Sequence, residues 1–166
     1  MVSNSNQRQR SPKLSPATFP QQLAALQQFC AYQERCYQDV REKIRSWEVS
    51  HEDGEELISA LVKENFLNEE RFAKAFAGGK FRIKKWGWVK IKYELIQRGI
   101  SNYCLQQAAK EIDPEIYRQS LTKLLLEKAK KLQGPAASFK KEQALVAFAV
   151  GKGYEAALAK SIVSSW

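Results

Sequence analysis

Residues 66–101 read FLNEERFAKAFAGGKFRIKKWGWVKIKYELIQRGIS, and they carry signals for the starts and ends of three helices. Asn68 is a favourable N-cap, and the two glutamates that follow it suit the positive end of a helix dipole. Gly87 marks a turn into a second helix. Gly99 closes that helix, because glycine accepts the left-handed conformation that often ends helices. Ser101 then caps a third helix. The stretch therefore predicts three consecutive helices in the middle of the chain.

The same stretch holds most of the surplus positive charge. The whole chain of 166 residues has a formal net charge of +9. Between residues 71 and 98, one acid (Glu94) stands against nine basic residues, which are Arg71, Lys74, Lys80, Arg82, Lys84, Lys85, Lys90, Lys92 and Arg98. Lysines on a solvated helix face are one explanation. Because the charge is local and aromatic residues lie between the cations, we favour a surface that binds a partner or DNA. All nine cations are its candidate residues.

The rest of the chain is predicted to be helical almost throughout. Residues 1–20 are rich in Ser, Asn, Gln, Arg and Pro and predict a disordered basic tail. Beyond the tail, apolar residues recur at helical spacing and no alternating pattern is long enough for a strand. Pro114 and Pro135 stand at helix boundaries. We expect an all-α chain made of three three-helix units, at residues 21–67, 68–113 and 114–166.

The helix that follows Asn68 has an apolar ridge and an unusual glycine pair. Its expected ridge consists of Phe72, Phe76, Gly79 and Ile83. Gly78 and Gly79 should each cost about 0.8–1 kcal/mol relative to alanine inside a helix. The pair indicates either a kink or helix end, or the close approach of another backbone, and both explanations stay open at this point.

Apolar anchors repeat along the chain at a long period. In the middle helix of each unit they are Val40, Ile44 and Val49, then Ile91, Leu95 and Ile100, then Leu145, Ala149 and Tyr154. In the last helix they are Ile58, Leu61 and Val62, then Leu105, Ala108 and Ala109, then Leu158, Ser161 and Ile162. The middle-helix pattern shifts by 51 and then by 54 residues. Units this small bury little apolar surface alone, so we expect tandem repeats packed into an elongated, curved array.

Two short patterns resemble those of the RecX family of recombinase regulators. Residues 66–73, FLNEERFA, are similar to the family's aromatic-Leu-Asp/Asn-acid-x-Arg-Phe-Ala signature. Residues 86–95, WGWVKIKYEL, followed by RGIS at 98–101, resemble its aromatic-Gly, basic-Ile, Glu-Leu and basic-Gly-Ile pattern. Trp88 departs from the family, which more often has a proline or a polar or basic residue there. The three-unit layout extends the resemblance over residues 23–162.

The resemblance implies a partner and a function. Members of this family bind the RecA recombinase, lie in the groove of the RecA–DNA filament and modulate RecA ATPase and strand exchange in recombination and DNA repair. We therefore expect a regulator that inhibits RecA and meets single-stranded DNA through the filament. The alternative is a helical module that binds nucleic acid directly through its basic middle unit, without RecA.

Other classes of function have little support in the sequence. There is no P-loop, no dinucleotide glycine fingerprint and no set of metal ligands, and His51 is the only histidine. We expect no enzyme, no catalytic residue, no cofactor and no metal. The three cysteines (Cys30, Cys36 and Cys104) are expected to be reduced and buried. No apolar run reaches the roughly 18–20 residues of a membrane span, so we expect a cytoplasmic monomer without a membrane partner.

Overall fold

The computed structural model describes residues 16–134 and 138–166. These residues form nine helices and no strand, which confirms the all-helical prediction. In chain order the helices are α1 (Phe19–Tyr32), α2 (Tyr37–Arg45), α3 (His51–Lys63), α4 (Glu69–Lys84), α5 (Trp88–Gln97), α6 (Asn102–Ala109), α7 (Pro114–Lys131), α8 (Phe139–Gly151) and α9 (Ala156–Val163). In this described part of the chain, no helix is long and apolar enough to cross a lipid bilayer. Most of the predicted tail, and the boundary at Pro135, lie outside the described residues.

Capping side chains start three helices where the sequence predicts them: at Asn68 and Ser101, and at Ser50, which the acids Glu52 and Asp53 follow. The side chains of Ser50, Asn68 and Ser101 each accept a hydrogen bond from the backbone N–H three residues further along. The first helix differs from its prediction, because α1 begins at Phe19, inside the segment predicted as a disordered tail. The Thr18 side chain caps this helix, and the proline in its first turn suits a helix start.

The nine helices group into three units, each with its own core. Unit 1 comprises α1–α3, unit 2 comprises α4–α6 and unit 3 comprises α7–α9. Most of the buried apolar side chains of each unit cluster within that unit. The anchors predicted for α2, α5 and α8 are buried in all three units, except for Val49, which is partly buried. The three-unit repeat is thus confirmed.

The last helices of units 1 and 2 repeat in the predicted register, but that of unit 3 is shifted by one residue. Their buried residues are Leu57, Ile58 and Leu61 in α3, Cys104, Leu105 and Ala108 in α6, and Ala159 and Ile162 in α9. Val62 and Ser161, which were predicted as anchors, are exposed, and the prediction is wrong at these two positions. Helices α3 and α9, which contain these two residues, carry apolar residues on neighbouring faces. An offset of one residue rotates the buried face of a helix by about 100°. Spacing alone therefore does not fix the register.

The buried face of α4 also differs from the predicted ridge. Ile83 is 78% exposed, and Phe76 and Gly79 are only partly buried. The buried residues are Phe72, Ala73, Ala77, Gly78 and Phe81. Most of them are small, which allows α4 to pack closely on α6, the helix that it contacts most extensively. The predicted ridge is correct at Phe72 and wrong at Ile83, because small side chains fill much of the interface with α6.

The glycine pair of α4 marks neither a helix end nor a backbone contact. The helix continues through Gly78 and Gly79 to Lys84. A Cβ on Gly79 would meet no neighbouring atom within 4 Å. A Cβ on Gly78 would lie 2.7 Å from Nη1 of Arg82, which is the end of a flexible side chain in the same helix. The close approach of two backbones occurs elsewhere, at Gly87.

Units 2 and 3 meet where Gly87 lies against Gly153, a contact that we call the glycine junction. A Cβ on Gly87 would overlap the carbonyl group of Gly153, and a Cβ on Gly153 would overlap the Cβ of Lys90. The backbone N–H of Gly87 donates to the carbonyl oxygen of Lys152, and that of Val89 donates to Gly153, each at 2.9 Å. Gly153 has a φ of +92°, which L side chains rarely adopt. The junction thus requires glycine on both sides, and it attaches the start of α5 to the turn between α8 and α9.

The Tyr117 hydroxyl is a second link between units 2 and 3. It accepts a hydrogen bond from the backbone N–H of Trp88 at 2.8 Å and donates one to Oε2 of Glu155 at 2.8 Å. Its ring lies between Phe81 of unit 2 and Tyr154 of unit 3, with centroid distances of 5.7 and 4.9 Å. Burial raises the pKa of Tyr117, and the hydrogen bond to the Glu155 carboxylate raises it further. The hydroxyl therefore stays neutral and keeps both hydrogen bonds.

Units 1 and 2 are joined by side chains instead. Cys36, which precedes α2, is buried in the core of unit 2. Arg71 of α4 donates to Oε1 of Glu34 at 2.6 Å and to the carbonyl oxygens of Asn65 and Phe66. No backbone hydrogen bond crosses between the described residues of these two units. The junction between units 1 and 2 therefore lacks the backbone hydrogen bonds that close the glycine junction.

Gly87→Ala should destabilise the protein, whereas Gly79→Ala should stabilise it. The new methyl group at Gly87 meets backbone, which cannot move aside without opening the glycine junction. We expect the free energy of unfolding to fall by about 1–3 kcal/mol. The same change at Gly79 enters open space within a helix and should raise it by about 0.8–1 kcal/mol. Urea unfolding followed by circular dichroism measures both values, and equal effects would contradict the contact at Gly87.

Tyr117→Phe should lower the free energy of unfolding by about 1–3 kcal/mol at neutral pH, because the Trp88 N–H loses its acceptor. The pKa of Tyr117 in the folded state lies above the ordinary tyrosine value of about 10. Its contribution to stability is therefore complete below that pH and decreases as the pH rises above it. The difference between the unchanged protein and the variant should narrow at about pH 11.

The exposed Tyr93 provides the control for this measurement. Tyr93 is 59% exposed, so Tyr93→Phe should leave the unfolding free energy unchanged at either pH. A Tyr117→Phe effect of the same size at neutral and alkaline pH would show that the hydroxyl does not act through its hydrogen bonds.

Candidate partner-binding surface

The nine candidate cations fall into three groups according to their surroundings. Arg71, Lys74 and Arg98 form ion pairs, Lys80 and Lys90 lie over an aromatic ring, and Arg82, Lys84, Lys85 and Lys92 are exposed. The fold therefore does not present all nine as one continuous surface. Each group has a different physical role.

Arg71 is an internal link between units 1 and 2. Its Nε donates to Oε1 of Glu34 at 2.6 Å, and its Nη1 donates to Oδ1 of Asn65 at 3.1 Å. Its Nη2 donates to the carbonyl oxygens of Asn65 and Phe66 at 3.0 and 3.3 Å. All three nitrogen atoms of the guanidinium are engaged within the chain. Arg71 is thus placed to hold the fold together.

Lys74 and Arg98 pair with acids of their own helices. Nζ of Lys74 lies 2.8 Å from Oε1 of Glu70, and this hydrogen bond raises the pKa of Lys74. Nη1 of Arg98 donates to the carboxylate of Glu94 at 3.0 Å and to its carbonyl oxygen at 3.1 Å. Both pairs span one helical turn, so they compensate positive charge locally.

Trp86 lies under two of the lysines. The Nζ atoms of Lys80 and Lys90 lie 5.0 and 4.4 Å from its ring centroid, within the range of cation–π attraction. Trp86 and Trp88 are both partly buried and pack against the core of unit 2. The two tryptophans therefore serve packing, and the two lysines cover the ring of Trp86.

The four remaining cations are the free positive charges of unit 2, and we call them the exposed cations. Arg82, Lys84, Lys85 and Lys92 have no carboxylate within 4 Å among the residues that the structure describes. Three of them lie at the end of α4, where positive charge suits the negative end of the helix dipole. The free charge is thus concentrated at the end of α4 and on α5.

A stripe of exposed apolar residues runs along α5 beside Lys92, and sequence reasoning missed it. Val89, Tyr93 and Ile96 are 53%, 59% and 48% exposed. Their spacing of four and three residues places them on one face of the helix, with Lys92 on the same face. We call these three residues the α5 stripe. The buried anchors Ile91 and Leu95 of the same helix have similar spacing, so spacing alone does not distinguish the exposed apolar face from the buried one.

The architecture and this surface together define a class of protein. The described residues contain no group of three or more His, Cys, Asp or Glu side chains that could hold a metal ion. All three cysteines are buried, and burial raises the pKa of each thiol. The middle unit does expose four cations and three apolar side chains. The chain is a helical-repeat protein.

Comparison with known proteins gives the family. Residues 68–108, which span α4 to α6, match the family model described as RecX, second three-helix domain. The regulatory protein RecX of Clostridium perfringens is 30% identical over 126 residues, which cover 75% of this chain and 58% of that protein. The RecX of Streptococcus uberis is 24% identical over 157 residues, covering 86% and 59%. The relatives that the chain matches are thus RecX proteins, and its middle unit matches the second three-helix domain of that family.

A solved structure supports the fold assignment. The crystal structure of RecX from Lactobacillus salivarius has a TM-score of 0.78 to this chain at 18% sequence identity, and the match covers 89% of this chain and 95% of that one. The segments matched in the curated relatives cover between 32% and 59% of those relatives' lengths. The chain therefore spans less than two thirds of the curated RecX proteins that it matches.

Arg71→Ala should cost stability that Lys92→Ala does not. The first change removes hydrogen bonds from a charged donor to Glu34 and to two carbonyl groups, and should lower the free energy of unfolding by about 1.5–3 kcal/mol. The second removes an exposed side chain and should change it by less than about 0.5 kcal/mol. Urea unfolding of the two variants provides the comparison. Equal losses would show that Arg71 is not a link between units.

Proposed function

We propose that this chain regulates the RecA recombinase by binding the RecA–DNA filament and inhibiting its ATPase and strand-exchange activities. Its matched relatives are named regulatory proteins, and the pattern at residues 66–101 resembles that of RecA regulators. The observation that carries the proposal is that unit 2 exposes both the four exposed cations and the α5 stripe, with Lys92 beside the stripe. These two features form the contact surface of the proposed complex.

A surface of this composition suits a filament made of protein and DNA. Lysine and arginine side chains neutralise phosphate groups and release counterions, which supplies affinity for the DNA backbone. Apolar and aromatic side chains provide contact area that excludes water against a protein partner. Unit 2 offers both kinds of side chain on neighbouring helices. Of the nine candidate cations, we assign the four exposed ones to the contact.

The inhibition would result from binding alone, because the bound chain would restrict the geometry of the filament. It would need no catalytic step on this chain. A bound protein shifts a conformational equilibrium only by its difference in affinity for the two states. The glycine junction holds unit 3 in a fixed position relative to α5, so a filament that contacts both units would be held at one spacing. A rigid binder also loses less conformational entropy on binding. Such a complex would oppose the changes in filament geometry that accompany ATP turnover.

Lys84→Glu combined with Lys85→Glu should weaken the proposed complex. We expect the concentration needed for half-maximal inhibition of RecA's DNA-dependent ATPase to rise about tenfold, equivalent to ~1.4 kcal/mol. Co-sedimentation with RecA on single-stranded DNA should show a matching loss of bound protein. Circular dichroism should show unchanged helical content, because both side chains are exposed.

The matched control reverses the same number of charges on unit 3. Lys130→Glu combined with Lys131→Glu changes two exposed lysines in the last turn of α7, as the first pair does at the end of α4. Equal loss of inhibition in both double variants would show a response to net charge alone. If the unchanged protein at stoichiometric levels left RecA's ATPase and strand exchange unaffected, the proposal itself would be wrong.

A further inference from the structure

The two junctions between units occupy equivalent places in the repeat, but only one of them is closed. Cys36 precedes Gly87 by the first repeat period of 51 residues, and Gly99 precedes Gly153 by the second period of 54. Gly87 and Gly153 meet in the glycine junction, which backbone hydrogen bonds close. At the equivalent place between units 1 and 2, the described residues form no such bond. A groove of about 440 Å³ lies there instead, and we call it the unit 1–2 groove.

The residue at the repeat position of Gly87 explains why this groove stays open. A Cβ on Gly87 would overlap the carbonyl group of Gly153, so only glycine allows that turn to approach. Cys36 carries a Cβ and a thiol at the equivalent position. The turn at Gly99 therefore cannot approach the start of α2 as Gly153 approaches Gly87. The same repeat geometry thus produces a closed contact with glycine and a groove with cysteine.

Three arginines line the groove, among polar and apolar residues. Its lining residues include Tyr37, Arg41 and Arg45 on α2, Gln97 and Arg98 at the end of α5, and Glu69. Glu69 is the one acid among these residues, and its carboxylate accepts hydrogen bonds from the backbone N–H and the hydroxyl of Ser101 at 3.3 and 3.0 Å. Three guanidinium groups therefore face the groove against one engaged carboxylate.

The three arginines keep hydrogen-bond donors available. Arg45 has no carboxylate within 4 Å among the described residues. Arg41 contacts Glu55 only through Nη2, at 3.4 Å, and its side chain is 48% exposed. Arg98 contacts Glu94 only through Nη1. Because a guanidinium has five N–H donors, these single contacts leave donors free for a ligand with several oxygen atoms, such as a phosphate.

An aromatic ring accompanies the arginines. Tyr37 is partly buried in the wall of the groove, where one side of it packs against the core of unit 1, and Cζ of Arg41 lies 6.0 Å from its ring centroid. Arg41 and Arg45 are one helical turn apart, about 6 Å along the axis of α2. A cationic groove that follows a backbone, together with an aromatic face on which a base can stack, is the usual arrangement for binding single-stranded nucleic acid. An acidic peptide would use the arginines but would leave the ring without this role.

We propose that the unit 1–2 groove binds single-stranded DNA directly, with Arg41, Arg45 and Arg98 on its phosphates and Tyr37 stacked on a base. This site is separate from the exposed cations and the α5 stripe of unit 2. It does not depend on a contact with RecA, so it goes beyond the function proposed above.

The test measures binding to fluorescent oligo-dT by anisotropy across a range of salt concentrations, in the absence of RecA. Arg41→Gln combined with Arg45→Gln should weaken binding about tenfold at low salt and reduce the slope of log affinity against log salt by about 1.4, or 0.7 per phosphate contact. Arg45→Gln alone should remove about half of that slope, and it breaks no ion pair among the described residues. Lys130→Gln with Lys131→Gln removes the same charge elsewhere and should leave the slope unchanged.

Variants of Tyr37 test the stacking contact separately. Tyr37→Leu should weaken binding about fivefold or more, whereas Tyr37→Phe should retain it, because the ring alone supports stacking. Circular dichroism checks that every variant is folded. Three outcomes would overturn the proposal: equal effects of the arginine and lysine pairs, an unchanged slope in Arg45→Gln, or displacement of oligo-dT by oligo-glutamate at lower concentration than by unlabelled oligo-dT. Because RecA is absent, none of them bears on the RecA proposal.

Discussion

The contact between Gly87 and Gly153 fixes how the second half of the molecule is assembled. Two backbones meet there without side chains between them, and two hydrogen bonds of 2.9 Å join the start of α5 to the turn before α9. Tyr117 reinforces the contact through the next backbone N–H, that of Trp88. Since α5 also carries the exposed apolar stripe, the orientation of that stripe relative to unit 3 is set by this junction. The glycine contact thus determines where an exposed surface lies relative to unit 3.

The junction between units 1 and 2 occupies the same place in the repeat but lacks the glycine that corresponds to Gly87. Cys36 fills the position of Gly87, so the units are joined by buried apolar contacts and by the hydrogen bonds of Arg71. The space that backbone pairing would occupy is a groove lined by arginines. One repeat unit therefore has a closed contact on one side and an open one on the other. The difference between a structural junction and a candidate ligand site rests on one side chain.

The features that the sequence predicted correctly are local. Ser50, Asn68 and Ser101 cap helices through bonds that span three residues, and the anchors of α2, α5 and α8 follow from helical spacing. The features that it missed depend on distant partners. Arg71 was counted as a candidate surface cation, but its partner Glu34 lies 37 residues away in the sequence. The importance of Gly87, compared with the more conspicuous Gly78 and Gly79, appears only once the turn at Gly153 is placed against it.

The cations that are most numerous in the sequence are not all free on the folded surface. The residues between 71 and 98 carry most of the surplus charge, yet the ion pairs and aromatic contacts of unit 2 engage five of the nine cations. Unit 1 has more acidic than basic residues, but its Arg41 and Arg45 face the same groove as Arg98, more than fifty residues further along the chain. Three cations from two units thus meet at one groove. The packing between units therefore decides which charges are free to bind a partner.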